Sequence, residues 1–307
     1  TAAATHGVNT IPFFVFYSMF GFQRIGDLVW LAGDMRCRGF MLGATAGRTT
    51  LAGEGLQHQD GHSHLLAYTH PHVVAYDPAF AYELAVIMQD GIRRMYVDRE
   101  EICYYLTIGN EPYEMPSMPD GVRDGILAGL YPFRSTSKKV AAKKLKLIGS
   151  GSIMHEVLAA QKILADDYGL DSEAWVATSY QQLFRDALAV ERGNRLSPGK
   201  KPRDPFVRQG LGDDPDVTVV AASDYPTALP YSIAEGVPGT LVGLGTDGCG
   251  LSEARPALRE YFEVNARHIA YAALESLVRQ GKLERKVLTG AAKKLAIRAD
   301  KQAPFNA

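Results

Sequence analysis

Several broad classes of protein are excluded by what this sequence lacks. No apolar run reaches the roughly 18 residues that a membrane-crossing helix needs, so no such helix lies in these residues. Charge of either sign is not in excess: 33 Lys and Arg stand against 34 Asp and Glu, a net charge of -1. That balance provides neither a basic field for nucleic acid nor an acidic tail. Cysteine is scarce, and Cys37, Cys103 and Cys249 are odd in number, far apart and in no Cys-x2-Cys arrangement. They suit a reducing compartment, and cytoplasm is the expected location. The opening Thr1-Ala2-Ala3-Ala4-Thr5-His6-Gly7 has no initiator Met and none of the charged-then-apolar order of a signal peptide, a hint of a longer polypeptide.

What is present is a soluble-type α/β composition over 307 residues, enough for about two domains. Chemistry-bearing residues concentrate in Gly53-Glu54-Gly55-Leu56-Gln57-His58-Gln59-Asp60-Gly61-His62-Ser63-His64. Three histidines, two carboxylates and three glycines there are too polar for a buried strand and too glycine-rich for a stable helix, so the stretch reads as a loop. Loops of this kind carry catalytic or binding groups. His58-x3-His62-x-His64 also resembles a zinc spacing, but Gly61 undermines the helix that such a pair requires. Satisfied, buried histidines are the third reading.

Around the loop the order is mostly strand then helix. Ile11 to Tyr17 reads as a buried strand and Ser18 to Ala32 as a helix stopped by Gly33. Gly39 to Ala44, His72 to Tyr76 and Ile102 to Ile108 read as strands, with an amphipathic helix from Pro78 to Tyr96. Asn110 to Ser137 is rich in proline and glycine and reads as an ordered surface loop or an interdomain crossing. Lys138 to Lys146 carries five lysines, expected on a solvated linker face. Alternation of this kind predicts a largely parallel sheet with helices on both faces, with a second domain beginning near Lys143.

Leu145 to Ile148, Gly149-Ser150-Gly151-Ser152 and Ile153 to Ala165 form a strand, a glycine turn and a helix with Ser152 as the expected N-cap. Met154 occupies the third glycine position of a dinucleotide fingerprint, so this is read as a close strand-to-helix turn. Further strands are expected at Ala174 to Thr178, Val217 to Ala221 and Thr240 to Gly245, and helices at Val264 to Gln280 and Lys282 to Ile297. Gly245-Thr246-Asp247-Gly248 has the wrong register for a magnesium diphosphate motif, because the next asparagine, Asn265, follows Asp247 by only 18 residues.

Tyr17-Ser18-Met19-Phe20-Gly21-Phe22-Gln23-Arg24-Ile25-Gly26-Asp27, Gly47-Arg48-Thr49-Thr50-Leu51 and the Gly53 to His64 block closely resemble the homodimeric decarboxylase component of the bacterial pyruvate dehydrogenase complex. Tyr76-Asp77-Pro78-Ala79, Gly149 to Ser152 and Gly245 to Gly248 are similar to that family too. The likeness runs end to end and covers the C-terminal third of the family's polypeptide. It implies the latter part of a pyrimidine-binding thiamine diphosphate domain, residues 1–137, followed by a transketolase C-terminal-like α/β domain, residues 138–307. Pyruvate would be decarboxylated and its two-carbon unit passed to a lipoyl group. The resemblance implies thiamine diphosphate and Mg2+ as cofactors, with the magnesium ligands and the pyrimidine-bonding glutamate upstream of Thr1. It implies a homodimer working with a dihydrolipoyl acetyltransferase core through lipoyl domains, and no nucleic-acid or membrane partner. By motif match, Tyr17, Phe20 and Arg24 would line the cofactor pocket. His58 would hydrogen-bond the pyruvate-derived adduct and assist acyl transfer, Glu54 would sit by the cofactor or organise His58, and Asp60, His62 and His64 would support them. Alone, the chain is expected to be catalytically inert or nearly so. A transketolase, another 2-oxoacid decarboxylase and a non-catalytic dimerisation fragment are the alternatives.

Overall fold

A computed structural model describes residues 5–8, 10–137 and 144–306. Its framework is two sheets. The first has strands β1 (Phe13–Tyr17), β2 (Gly39–Ala44), β3 (Val73–Tyr76) and β4 (Cys103–Ile108), all parallel, in the order β1-β2-β4-β3. The second has β5 (Leu130–Ser135), β6 (Leu145–Gly149), β7 (Glu173–Ala177), β8 (Thr218–Ala222) and β9 (Thr240–Leu244) in the order β5-β7-β6-β8-β9. Only β5 runs antiparallel.

Burial on both faces explains why the inner strands are nearly continuous apolar runs. Alternate residues of β3 and β4 go to opposite sides: Val74, Tyr76, Tyr104 and Leu106 face one core, and Val73, Ala75 and Tyr105 another. The first of these cores is shared between the sheets. Phe40, Tyr76 and Tyr104 join one cluster with Leu147, Val176 and Val220 and with Leu164 and Leu274 of the helices Met154–Tyr168 and Ala266–Arg279. The other face of the second sheet packs Ile148, Trp175 and Val219 against Leu183 and Val207.

Several sequence expectations are corrected. The strand expected to be buried at Ile11 to Tyr17 is instead an edge strand: Phe14 and Val15 are 53% and 59% exposed. Apolar content marks a strand but not its place in a sheet. The helix after it runs Phe22–Asp34, preceded by a 3-10 turn at Ser18–Phe20, and Gly33 lies inside the helix. Its glycine answers a packing need, since a Cβ there would lie 2.5 Å from His72 Nδ1. The helix expected from Pro78 to Tyr96 begins at Ala81, where the Glu83 carboxylate caps the Ala79 and Phe80 N–H groups, and passes into a π-helical turn at Arg93–Val97. The expected surface loop at Asn110 to Ser137 contains the helix Arg123–Ala128 and β5. Pro132 fits there because β5 is an edge strand with a register shift between Pro132 and Arg134. The division between the sheets therefore precedes Leu130, whereas the sequence places the domain boundary after residue 137.

In the lysine stretch, residues 138–143 lie outside the described residues. Lys144 is half-exposed beside Asp214, but Lys146 is buried in β6, ion-paired with Glu173 across the strand register and 5.1 Å from the Trp175 ring centroid. Ser152 is not an N-cap. It lies in the 3-10 turn Gly151–Ile153, and its hydroxyl hydrogen-bonds that of Thr50.

Candidate active site

The chain leaves β1 at Tyr17 and turns sharply through Ser18–Phe20 before the helix opens at Phe22. Gly21 permits the turn, since a Cβ there would lie 2.3 Å from the Phe16 ring. This places Tyr17 and Phe20 side by side with ring centroids 5.8 Å apart, and the Arg24 guanidinium 4.2 Å over the Phe20 ring. The His58 imidazole, carried by the 3-10 turn Leu56–His58, packs 5.0 Å from each of the two rings. Glu54 Oε2 lies 3.9 Å from His58 Nδ1, and that nitrogen is buried with no hydrogen-bond partner among the described residues. Tyr17, Phe20, Arg24, Glu54 and His58, the residues to which the resemblance gives catalytic or cofactor-binding roles, thus meet in one cluster.

The other histidines of the loop go elsewhere. His62 Nδ1 meets Gln23 Nε2 at 3.0 Å, tying the loop to the first helix, and its Nε2 lies 3.4 Å from Arg48. Burial and the Arg48 charge push its pKa down. His64 is buried, with Nε2 3.1 Å from the Thr107 hydroxyl and its ring against Tyr225 and Tyr105. Burial lowers its pKa to about 4, so near neutral pH it is an uncharged core group. Asp60, also buried, accepts hydrogen bonds from the His62 and Ser63 N–H groups, both at 2.9 Å, and from the Ser63 hydroxyl. It thereby holds the start of the helix Ser63–Ala67. The three histidines thus have three separate environments, and among the described residues no group of three or more His, Cys, Asp or Glu could hold a metal ion.

The loop also rests on the second sheet. Asp224, just past β8, accepts from Thr49 N at 2.9 Å and Thr49 Oγ1 at 2.7 Å, and from Thr50 Oγ1 at 2.9 Å. Gly47 has φ +89°, and a Cβ there would lie 2.2 Å from Asp224 Oδ2, so only glycine lets the chain pass this carboxylate. Arg48, 1% exposed, donates to the Thr246 and Gly248 carbonyls, both at 2.5 Å. The sequence alone assigns no role to Arg48 or Asp224. The pairs they make between the two halves of the chain span 174 to 200 residues, so no local pattern marks them.

At the C-terminal ends of both sheets lies a cavity of about 180 Å3, lined among others by Thr50, Asp77, Thr107, Tyr113, Ser152 and Asp224. Its residues do not include His58. Asp77 Oδ1 accepts from Thr107 Oγ1 at 2.7 Å, while Oδ2 is buried without a protein partner among the described residues. Burial, opposed by the Thr107 and Ser150 hydroxyls, raises this carboxyl to about 6. A raised folded-state pKa favours the fold below the unfolded value and loses that contribution as pH rises through about 6. Asp77→Asn removes the titration. Its stability relative to the native chain is expected to rise by about 2 kcal/mol between about pH 4.5 and 7.5. Urea melts at the two pH values check this, and a pH-independent difference would refute it.

Comparison with known proteins relates this arrangement to others. Residues 1–116 match the family model described as pyruvate dehydrogenase E1 component middle domain, and residues 129–265 match the transketolase-like TK C-terminal domain. Along its whole length the chain is similar to pyruvate dehydrogenase E1 components. The pyruvate dehydrogenase E1 component of Pseudomonas aeruginosa is 48% identical over 307 residues, which is 100% of this chain and 35% of that protein. The E1-like chain thus spans about a third of the length of the curated relatives it matches. Among solved structures, transketolase from Leishmania mexicana aligns with a TM-score of 0.63 at 17% identity, over 88% of this chain and 34% of that one. A chain described as split gene transketolase, inactive beta4 tetramer, aligns with a TM-score of 0.60 at 18% identity, over 90% of this chain and 80% of that one. These structural likenesses establish the transketolase-like fold of the E1-like chain. The Tyr17 to His64 cluster lies in the segment matched by the E1 middle domain.

Proposed function

We propose that the chain is part of a thiamine diphosphate-dependent decarboxylase that acts on pyruvate and reductively acetylates lipoyl groups. The observation that carries this reading is the His58 imidazole packed against Tyr17 and Phe20, with its Nδ1 unpartnered among the described residues beside Glu54. Two partly exposed aromatic rings beside a guanidinium suit a flat, hydrogen-bonding heterocycle such as an aminopyrimidine, so the residues fit the cofactor. Thiamine diphosphate, when bound, supplies the nucleophilic carbon and the electron sink for decarboxylating a 2-oxoacid.

In this reading Tyr17, Phe20 and Arg24 hold the heterocycle and exclude water from one side. His58 holds or releases a proton beside the reacting group, work for which an imidazole is suited near neutral pH. Glu54 stands 3.9 Å from His58 Nδ1, and closing by about 1 Å would make a hydrogen bond that fixes the ring's tautomer. Magnesium and the cofactor's diphosphate are assigned to parts of the enzyme outside this chain. A homodimer in the cytoplasm, serving a dihydrolipoyl acetyltransferase core, completes the proposal. The exposed apolar side chains of Phe14 and Val15 on the edge strand and of Leu28 and Leu31 on the following helix support burial against further protein.

The purified 307 residues, given thiamine diphosphate and magnesium, are expected to release no carbon dioxide from pyruvate, while the intact polypeptide carrying this segment does. Turnover by the 307 residues alone would contradict this division of labour. Activity of the intact polypeptide with xylulose phosphate instead of pyruvate would select a transketolase.

A further inference from the structure

Gln59 follows His58 directly, yet it points the opposite way, into the C-terminal half. Its side chain is 1% exposed. Gln59 Oε1 accepts from the Leu251 N–H at 2.6 Å, and Nε2 donates to the Leu51 carbonyl at 3.3 Å. Gly250 is pressed against the same turn: a Cβ there would lie 2.8 Å from Gln59 Oε1, 2.9 Å from Gln59 Cβ and 3.0 Å from the Leu56 carbonyl. Further hydrogen bonds join the two segments. Gly53 N donates to the Glu253 carbonyl at 3.2 Å, Arg255 Nε to the Thr50 carbonyl at 2.5 Å, and Arg48 to the carbonyls of Thr246 and Gly248. The loop that carries His58 is therefore bracketed, before and after the histidine, by residues 246–255.

We propose that the 246–255 segment of the C-terminal half is the platform that sets the position of the His58 imidazole, and that Gln59 is the positioning residue through which it acts. The argument rests on how little else holds the turn. The Leu56–His58 turn has two backbone bonds among the described residues, His58 N to Gly55 O at 2.9 Å and Gln59 N to Leu56 O at 3.2 Å, and no buried residue of its own. The Leu56 side chain adds little, because the residue is 55% exposed. The Tyr17 and Phe20 rings meet the imidazole without a hydrogen bond, so they shape its pocket but fix no height or register. A buried amide with a backbone N–H on one side and a carbonyl on the other fixes both. This gives the C-terminal domain a part in the chemistry through the loop that carries His58. The catalytic meaning of the platform rests on the role proposed for His58, whereas its geometric part does not.

The test uses one variant on each side of the interface. Gly250→Ala adds a methyl from the C-terminal half, and Gln59→Ala removes the clamp from the loop. Leu251→Ala is the control, because it trims a side chain that is 39% exposed and keeps the N–H. In the 307-residue chain labelled with ring-13C histidine, the His58 signals sense the ring currents of Tyr17 and Phe20. They are expected to move in both variants and to stay in place in the control, in samples whose circular dichroism is unchanged. A purely structural loss of stability would not move the signals of molecules that remain folded. In the intact enzyme both variants are expected to lower kcat for acyl transfer by about 10- to 100-fold at a pyruvate KM changed less than about twofold, the signature of a displaced catalytic group. Unmoved His58 signals in folded Gly250→Ala overturn the proposal, and should that variant not fold, unmoved signals in Gln59→Ala do so. Moved signals with unchanged acyl transfer leave the platform standing and count against the role of His58.

Discussion

Replacing His58 with alanine in the intact enzyme is expected to slow transfer of the acyl group to a lipoyl acceptor by about 100-fold or more, the usual scale for a lost acid-base group. The fold is expected to survive. His58 is only partly buried and its Nδ1 has no hydrogen-bond partner among the described residues, and its turn is anchored by the neighbouring Gln59 rather than by the imidazole. The substitution removes the packing of the imidazole against the Tyr17 and Phe20 rings, worth about 1 kcal/mol for each ring. Single-turnover acetylation of a lipoyl domain, together with a thermal melt, separates the outcomes. A rate within a few-fold of the native enzyme would remove His58 from the mechanism, and a collapsed melting temperature would make it a packing residue.

Arg259→Ala is expected to cost about 3 kcal/mol, because it strips the counter-charge from two partly buried carboxylates. Arg259 is 4% exposed and lies where the helix Arg255–Tyr261 meets the first domain. Its guanidinium donates to both oxygens of Glu111, lies 3.4 Å from Glu156 Oε1 and meets His155 Nε2 at 2.9 Å. Glu156 in turn accepts from Ala266 N at 2.8 Å at the start of the helix Ala266–Arg279, so the loss spreads to a second element. Urea unfolding followed by fluorescence and by circular dichroism gives the figure. Adding Glu111→Gln is expected to restore part of it by removing one of the two stranded charges. A loss below about 1 kcal/mol in the single variant would show that water reaches the carboxylates and screens them.

The parallel sheets were legible because each inner strand is apolar on both faces and bounded by turn residues. The open edge at β1 was not, since Phe13-Phe14-Val15-Phe16 reads alike whether covered or bare. Glycine proved ambiguous in the same way: Gly33 looked like a helix stop but serves a close approach to His72. In the candidate site, the sequence marked Gly53 to His64 as the loop that carries the chemistry-bearing residues, without showing that its three histidines part into separate environments. It did not show that His64 is core, because Thr107, Tyr105 and Tyr225 come from other strands and loops. Nor did it show that Gln59, one residue beyond His58, faces Leu251. Local patterns report what a residue is, and the long-range pairs report what it does.

The apolar cluster shared by the two sheets bears on how such a protein can be recombined. Families treat residues 1–116 and 129–265 as separate modules, yet Phe40, Tyr76 and Tyr104 interlock with Leu147, Val176 and Val220. A chimera cut between them would join two half-cores whose side chains had never been selected to fit, and mismatched volume in a packed interior is destabilising. Inheritance of the two modules as a pair follows from their packing, and exchanging one between distant relatives demands compensating changes in the other.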